Sequence, residues 1–530
     1  MTYKILISDK FDAEGVARLK AKDNFEVIYD GGHSREDMLA VVGEVDGLII
    51  RSATKVNAEV LEAAKNLKLV VRAGVGVDNI DIPEASRRGV IVMNAPGGNS
   101  VSTAEQAVAL MMSMARNIPQ ANASMKSSKW EKSKFKGVEL SGKTLGVVGL
   151  GRIGKEVVKK ARGLGMKVIG YDPYIPESNL AHLEIDIVPR EEIIKNADFI
   201  TVHTPLTDTT RDFLGKDNIT QFKKGVRLIN CARGGIYNEE ALVEALESGH
   251  VAGVALDVFS TEPTPEDFPL RKFDNVIMTP HLGASTGDAE FAVAMETIDE
   301  LTEFFETGVA RNALNFPTLE PEALDFLKPY FEGGEKIGKL LAHITDGDIK
   351  EVSINYRGDV AAYMTQPVST AILRGALSLA MGDEVNFVNA PFLAKDRGVK
   401  VTETKDEKPA RFAGSVQAIF KTGKGREVEL TYTAREKVPT VVRLFDLPTE
   451  FRPQGILIIV ENKDVPRVVG TTGMFLGDKN VNIASLDLAR NEKGGTAHCV
   501  IAVDEMLTNE GIQEMRGLEN ILSAVQVDLG

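Results

Sequence analysis

Three residues whose types suit redox chemistry at a hydroxyl-bearing carbon stand at the ends of successive apolar runs: Arg233 in "LINCARGG", Glu262 in "ALDVFSTEP" and His281 in "VIMTPHLG". A guanidinium can hold a carboxylate through two parallel hydrogen bonds and draw electron density from an adjacent ketone. Imidazole is suited to exchanging a proton near neutral pH, and a neighbouring carboxylate stabilises its imidazolium form. Such a set lacks one thing, a hydride carrier. The stretch "TLGVVGLGRIGKEVVKKARGLGMKVIGYD" supplies a place for it: a strand, the glycines Gly149, Gly151 and Gly154, a helix, and a second strand closed by Asp172. Gly149 permits a tight turn, Gly151 lets backbone approach a pyrophosphate, and Gly154 allows close helix–strand packing, while the helix N-terminus offers free N–H groups. Asp172 stands where a ribose hydroxyl pair is held. Its charge, followed by Pro173 and Tyr174 with no arginine nearby, repels a ribose phosphate, so NAD is expected rather than NADP.

These residues need a scaffold that gathers strand ends. The runs "YKILISD", "FEVIYD", "VDGLIIRS", "LKLVVRAG" and "VIVMNAP" read as strands separated by helical segments such as Asn57 to Lys65, hence a parallel sheet. A second series, "KTLGVVG", "MKVIGYD", "ADFITVH", "VRLINCA", "VAGVALDVF" and "NVIMTP", reads as another. In open α/β sheets ligands sit outside the carboxyl ends of the strands, so Arg233, Glu262 and His281 are expected to converge on the cofactor crevice. Between the two series, "SVSTAEQAVALMMSMARN" has a Ser/Thr start, an early Glu and sustained apolar periodicity, which predicts a capped, largely buried helix joining two domains.

A chain of 530 residues has room for three or four domains. No apolar run approaches the roughly 20 residues of a membrane span, and "MTYKILISDK" lacks the regions of a signal peptide. No membrane partner is expected. A net charge of -14 disfavours non-specific nucleic-acid binding. The two cysteines, Cys231 and Cys499, have no metal-ligand spacing and suit a reducing cytoplasm. Nothing near Cys231 in the sequence would activate it as a nucleophile.

"VGLGRIG", "NCARGG" with "ALDVFSTEP", and "TPHLGAST" resemble, in order and spacing, the D-isomer-specific 2-hydroxyacid dehydrogenase family, and "IRSATKV", "RAGVGVDNID" and "NAPGGNSVSTAE" extend the match. The resemblance implies two Rossmann-like doubly wound α/β domains, a discontinuous substrate-binding domain (residues 1–98 and 286–316) and an NAD-binding domain (99–285). It implies Arg233 as the substrate-binding, carbonyl-polarising group, Glu262 as partner of the histidine and His281 as acid/base. Cofactor contacts are implied for Gly149, Gly151, Arg152, Ile153 and Gly154 at the pyrophosphate and Asp172 at the ribose. Thr204, Cys231, Ala232 and Arg233 would line the crevice, with Asp257 near the carboxamide, then His281, Gly283 and Ala284. The implied substrate is 3-phosphoglycerate, oxidised to 3-phosphohydroxypyruvate in the first step of serine synthesis. Its phosphate needs further positive charge, for which Arg51, Arg72, Lys132 and Lys134 are candidates, some reaching in from a neighbouring subunit of a homodimer or homotetramer. Glyoxylate, lactate or 2-hydroxyglutarate are alternative substrates, and a NAD-sensing regulatory protein is the alternative outside enzymes.

The Pro-containing turn "NALNFPTLEPEALDF" marks a boundary. Residues 317–452 open with helix and continue with strand-like runs such as "KEVSINYRGD", "VQAIFKT" and "REVELTYT", resembling an α+β intervening domain of the family's long form. Residues 453–530 resemble a ferredoxin-like ACT regulatory domain of βαββαβ order, which implies serine as a feedback effector. One departure bears on that effector. Where such loops commonly read Pro-Gly, this chain has Pro466-Arg467, so a side chain stands where a ligand would approach.

Overall fold

The computed structural model describes residues 2–317, 319, 321–345, 347–409 and 411–530. The first series of runs forms β1 (Tyr3–Ile7), β2 (Phe25–Ile28), β3 (Gly47–Ile50), β4 (Leu69–Arg72) and β5 (Ile91–Asn94), a parallel sheet ordered β2-β1-β3-β4-β5. The second forms β6 (Thr144–Val148), β7 (Lys167–Tyr171), β8 (Asp186–Ile187), β9 (Phe199–Val202), β10 (Val226–Asn230), β11 (Val251–Leu256) and β12 (Val276–Met278). This sheet is also parallel, ordered β12-β11-β10-β9-β6-β7-β8. Continuous apolar runs suit parallel strands covered on both faces by helices, and β3 and β9 are buried along their whole length. Strand order reverses between β1 and β3 and between β6 and β9, the switch points at which such sheets open a crevice. The two-residue edge strand β8 is too short to leave a periodicity in the sequence.

The long helix begins at Ser100 and ends at Arg116. Ala104, Ala107, Leu110, Met111 and Met114 pack into the core of the second sheet. Its cap differs from the expectation. Asn99 is the N-cap and its side chain makes no capping bond, because the early hydroxyls are used elsewhere: Ser102 and Thr103 donate to the Gly283 carbonyl at 2.9 and 3.2 Å. The helix Gly287–Thr307 is capped by Thr286, which accepts from the Ala289 N–H, and ends at Gly308 with φ 79°. Its Val293, Ala294, Ile298 and Leu301 join Ile5, Ile7 and Met93 in the core of the first sheet.

A third sheet is ordered β14-β13-β15-β16-β17-β18, with β13 (Ile349–Gly358), β14 (Lys400–Asp406), β15 (Gly414–Thr422), β16 (Glu427–Arg435), β17 (Val438–Leu444) and β18 (Leu447–Phe451). Only its β13–β14 pair is parallel. Thr318 and Glu320, within the expected boundary turn, lie outside the described residues. The last sheet is antiparallel, β20-β21-β19-β22, built from β19 (Ile456–Lys463), β20 (Ile483–Arg490), β21 (Thr496–Val503) and β22 (Ile521–Asp528). With helices Val468–Asp478 and Asn509–Arg516 it has the βαββαβ order expected. Alternation along β19 divides its faces. Ile458 and Val460 pack under the sheet's own helices with Leu476 and Met515, whereas Leu457 and Ile459 join the core of the third sheet.

Candidate active site

The glycine loop is built by contacts that leave no room for side chains. Gly149 follows β6 with φ 90°, and a Cβ there would lie 2.6 Å from the His203 carbonyl oxygen. A Cβ on Gly154 would lie 2.0 Å from the Gly149 carbonyl oxygen, so the helix Arg152–Gly163 starts hard against the loop. In front of Gly151 the space is open. Asp172 ties the loop to β7: its carboxylate accepts from the Leu150 N–H (2.9 Å) and the Tyr174 and Ile175 N–H groups (2.9 and 3.2 Å). At the end of β9 the buried Thr204 hydroxyl has no partner among the described residues. His203 beside it is pushed down to about 4 by burial and is neutral. An open helix N-terminus, an adjoining carboxylate and an orphaned hydroxyl along one crevice fit a dinucleotide.

β10, β11 and β12 are neighbours, so Arg233, Glu262 and His281 leave adjacent strand ends. Each is fixed by its own turn. Asn230 holds the first, donating to the Arg233 carbonyl (2.8 Å) and accepting from the Ala232 N–H (2.9 Å). Gly234 packs so tightly on the β11 loop that a Cβ would lie 2.0 Å from the Phe259 carbonyl oxygen. Glu262 accepts from the Phe259 N–H through Oε1 (2.9 Å) and meets His281 Nδ1 through Oε2 at 2.7 Å. His281 stands at φ 56°, half exposed, and its Nε2 has no partner among the described residues. The pair therefore presents an imidazole held at one nitrogen and free at the other. Cys231 is buried, and burial with the nearby Asp257 pushes its thiol far up, so it is no nucleophile.

Asp257, expected near a carboxamide, is fully buried, and both its oxygens are engaged by the histidine loop. It accepts from the Thr279 hydroxyl, the Leu282 N–H (2.8 Å) and the Gly283 N–H (2.8 Å), with Gln106 of the long helix reaching the same oxygen as Thr279. Gly283 is buried on Thr103 and Asp257, with Ala284 half-buried next to it. Thr279 and Thr103 lie inside recognisable motifs and Gln106 inside the long-helix segment, but none carries chemistry that singles it out there. Only the long helix's burial pointed towards that surface.

Arg233 also reaches the first sheet. Its Nη2 occupies the space over Gly76, where a Cβ would lie 1.9 Å away, and its Nε is 3.2 Å from Asp78 Oδ2. The carboxyl ends of the two sheets thus face each other. Arg51 and Arg72 leave β3 and β4 on that side. Burial, then the like charges of Arg233 and Arg51, pulls Arg72 down to about 10, and its buried Nε has no partner among the described residues. Arg51 pairs with Glu290 at 2.9 Å. Lys132 and Lys134 do not join this cluster within one chain. Lys134 pairs with Glu131 and feels Asp274, which lies at the amino end of β12, opposite His281.

Residues 108–283 match the model of the D-isomer specific 2-hydroxyacid dehydrogenase NAD binding domain, and residues 326–443 match the D-3-phosphoglycerate dehydrogenase intervening domain. The D-3-phosphoglycerate dehydrogenase of Bacillus subtilis is 40% identical over 531 residues, covering 99% of this chain and 100% of that protein. That of Archaeoglobus fulgidus is 39% identical over 528 residues, covering 99% and 100%. The chain belongs to the D-3-phosphoglycerate dehydrogenase family. Among solved structures, the TT0316 protein of Thermus thermophilus superposes with a TM-score of 0.54 at 32% identity, covering 59% of this chain and 99% of that one. As a D-3-phosphoglycerate dehydrogenase family member the chain is an NAD-dependent D-2-hydroxyacid dehydrogenase, and the glycine loop lies within the residues that match the NAD binding domain. Among the described residues no helix is long and apolar enough to cross a membrane, and no group of three or more His, Cys, Asp or Glu is placed to hold a metal.

Proposed function

We propose that the chain oxidises 3-phospho-D-glycerate to 3-phosphohydroxypyruvate, the first step of serine synthesis. The observation that carries this reading is the grouping of Arg51, Arg72 and Arg233 across from the His281–Glu262 pair. Arg233 holds the substrate carboxylate and polarises the forming ketone, while Arg72 and Arg51 meet the phosphate. The hydroxyl proton passes to His281 Nε2, and Glu262 stabilises the resulting imidazolium through Nδ1. Bound NAD supplies the acceptor for the hydride that leaves the hydroxyl-bearing carbon. Gly149, Gly151, Arg152, Ile153 and Gly154 hold its pyrophosphate, Asp172 its ribose, and Thr204, Cys231 and Ala232 the crevice wall, while Asp257 sets the His281 loop with Gly283 and Ala284. Arg51 and Arg72 belong with a substrate domain of residues 1–98 and 286–316, and the loop with an NAD domain of 99–285. NADH formation with 3-phosphoglycerate, compared with lactate and D-glycerate, is the test. Turnover of lactate or glycerate but not of 3-phosphoglycerate would refute it.

Residues 453–530 serve in this proposal as an ACT module whose effector is serine, with residues 317–452 intervening. Two observations support it, the βαββαβ order and the φ of 79° at Arg467, which keeps glycine-like backbone geometry in the contact loop. The enzyme acts as a homodimer or homotetramer. Trp130 is 82% exposed, and Ile118 and Met125 on the preceding helix are exposed as well, apolar side chains that a second subunit would cover, and Lys132 and Lys134, close after Trp130 in the chain, would then serve the neighbour's phosphate site. Two free, buried cysteines suit the cytoplasm as its place of action.

A further inference from the structure

Two guanidiniums of the cluster already hold carboxylates from the substrate side of the crevice. Asp78, on the loop after β4, meets Arg233 Nε at 3.2 Å, and Glu290, in the first turn of the helix Gly287–Thr307, meets Arg51 Nη2 at 2.9 Å. In both pairs the acid is the more exposed partner, 80% against 29% for Asp78 and Arg233 and 48% against 36% for Glu290 and Arg51. Neither carboxylate accepts a hydrogen bond from any other group among the described residues. Asp9, the other acid near these arginines, is used differently: it is buried and accepts from the Arg51 and Thr54 N–H groups and the Thr54 hydroxyl, so it shapes the loop. Asp78 and Glu290 have no such structural duty and are free to leave.

We propose that Asp78 and Glu290 are stand-in anions: Asp78 occupies Arg233 and Glu290 occupies Arg51 until the substrate's carboxylate and phosphate displace them. This rests on the proposed 3-phosphoglycerate reading. Each stand-in keeps a guanidinium at its working position while the crevice is empty, at the expense of weaker substrate binding. Asp78 is paired with Arg233 and also faces Arg72, so it acts on both ends of the substrate, whereas Glu290 is paired with Arg51 at the phosphate end. Asp78 sets the affinity for any 2-hydroxy acid, whereas Glu290 sets the affinity for the phosphorylated one alone.

The test compares the KM for 3-phosphoglycerate with the Ki of D-glycerate as a competitive inhibitor, in the full-length enzyme with saturating NAD. Exposed ion pairs contribute roughly 0.2–1 kcal/mol, so loss of the competing pair is expected to tighten binding up to about fivefold. Asp78→Asn should lower both constants by that factor. Glu290→Gln should lower the KM for 3-phosphoglycerate and leave the Ki of D-glycerate where it is. Asp288→Asn, which removes a charge on the same helix turn from a residue without a basic partner among the described residues, controls for general electrostatics and should move neither constant. Constants that rise or stay fixed in Asp78→Asn, a Glu290→Gln effect equal on both ligands, or a Asp288→Asn effect as large as either would overturn the proposal. If wild type turns over another 2-hydroxy acid and not 3-phosphoglycerate, the substrate reading falls. Asp78→Asn measured on that acid then still decides the role of Asp78.

Discussion

Replacing Asp257 by Asn separates two jobs that one buried carboxylate can do in such a crevice, holding a bound cofactor or holding the histidine loop. Both oxygens of Asp257 are engaged, Oδ1 by Thr279 and the Leu282 N–H and Oδ2 by the Gly283 N–H. An Asn retains one acceptor. In its better orientation it keeps the Thr279 and Leu282 bonds and turns its NH2 towards the Gly283 N–H, donor against donor. A hydrogen bond to a charged group contributes about 1.5–3 kcal/mol and an unsatisfied buried N–H costs about 1–3 kcal/mol, overlapping quantities that place the loss near 2–4 kcal/mol. That loss falls on the segment that carries His281 at φ 56°, and at about 1.4 kcal/mol per tenfold it shifts the loop towards disorder by up to about 30- to 700-fold, the upper limit on the expected fall in kcat. NAD affinity, measured by fluorescence titration, should change less than about threefold, because the glycine loop and Asp172 are untouched. Thermal unfolding should show the same local weakness as a lower Tm. An enzyme that keeps wild-type kcat and Tm but loses NAD affinity tenfold would show Asp257 to be a cofactor contact and refute the loop-anchor argument.

Other outcomes follow from the same structure. Glu300 is 4% exposed, its Oε2 has no partner among the described residues, and burial pushes its carboxyl up to about 8. The folded chain therefore keeps a proton that the unfolded chain releases above the ordinary value of 4.5, so stability is lost as pH rises from there to about 8 and no further beyond. Glu300→Gln should raise Tm at pH 8, by a stabilisation of about 2–3 kcal/mol against a ceiling near 5, and have little effect at pH 5. Equal gains at both pH values would contradict it. Arg72→Ala and Arg51→Ala should each raise the KM for 3-phosphoglycerate about 10-fold or more with a smaller effect on D-glycerate binding, and unchanged constants would remove the phosphate site. Arg467→Gly keeps the left-handed backbone and deletes the side chain from the loop, so serine should inhibit at lower concentration than in wild type. An unmoved inhibition curve would place the effector elsewhere.

What could be read from the amino-acid order alone divides along a physical line. Parallel strands announce themselves as apolar runs, and a motif such as Gly149-Gly151-Gly154 is legible because backbone contact dictates the residue type: a Cβ at Gly154 has a carbonyl oxygen 2.0 Å away. Strand ends were legible for the same reason, since each turn after β10, β11 and β12 carries its own signal, and adjacency of the three strands does the rest. The helix Gln366–Met381 was not, because it is buried on nearly every side and shows no 3.6-residue alternation to betray it. The partners of the reactive groups were hidden for a different reason. Asp78, Glu290 and Gln106 are ordinary polar residues whose work depends on one lobe's loop meeting another lobe's side chain, and no local pattern encodes that meeting. The long helix illustrates both halves. Its start was readable at Ser100, but its hydroxyls were assigned to a cap when the Gly283 carbonyl, far along the chain, was the stronger claim on them. That bond joins the outgoing connection between lobes to the returning one, and both connections are further held by Glu296, which accepts from the Gly97 and Gly98 N–H groups. A substitution there, Glu296→Gln, leaves every reactive residue in place. It should nevertheless raise KM and lower kcat together, since relative lobe position alone brings Arg233 over Gly76.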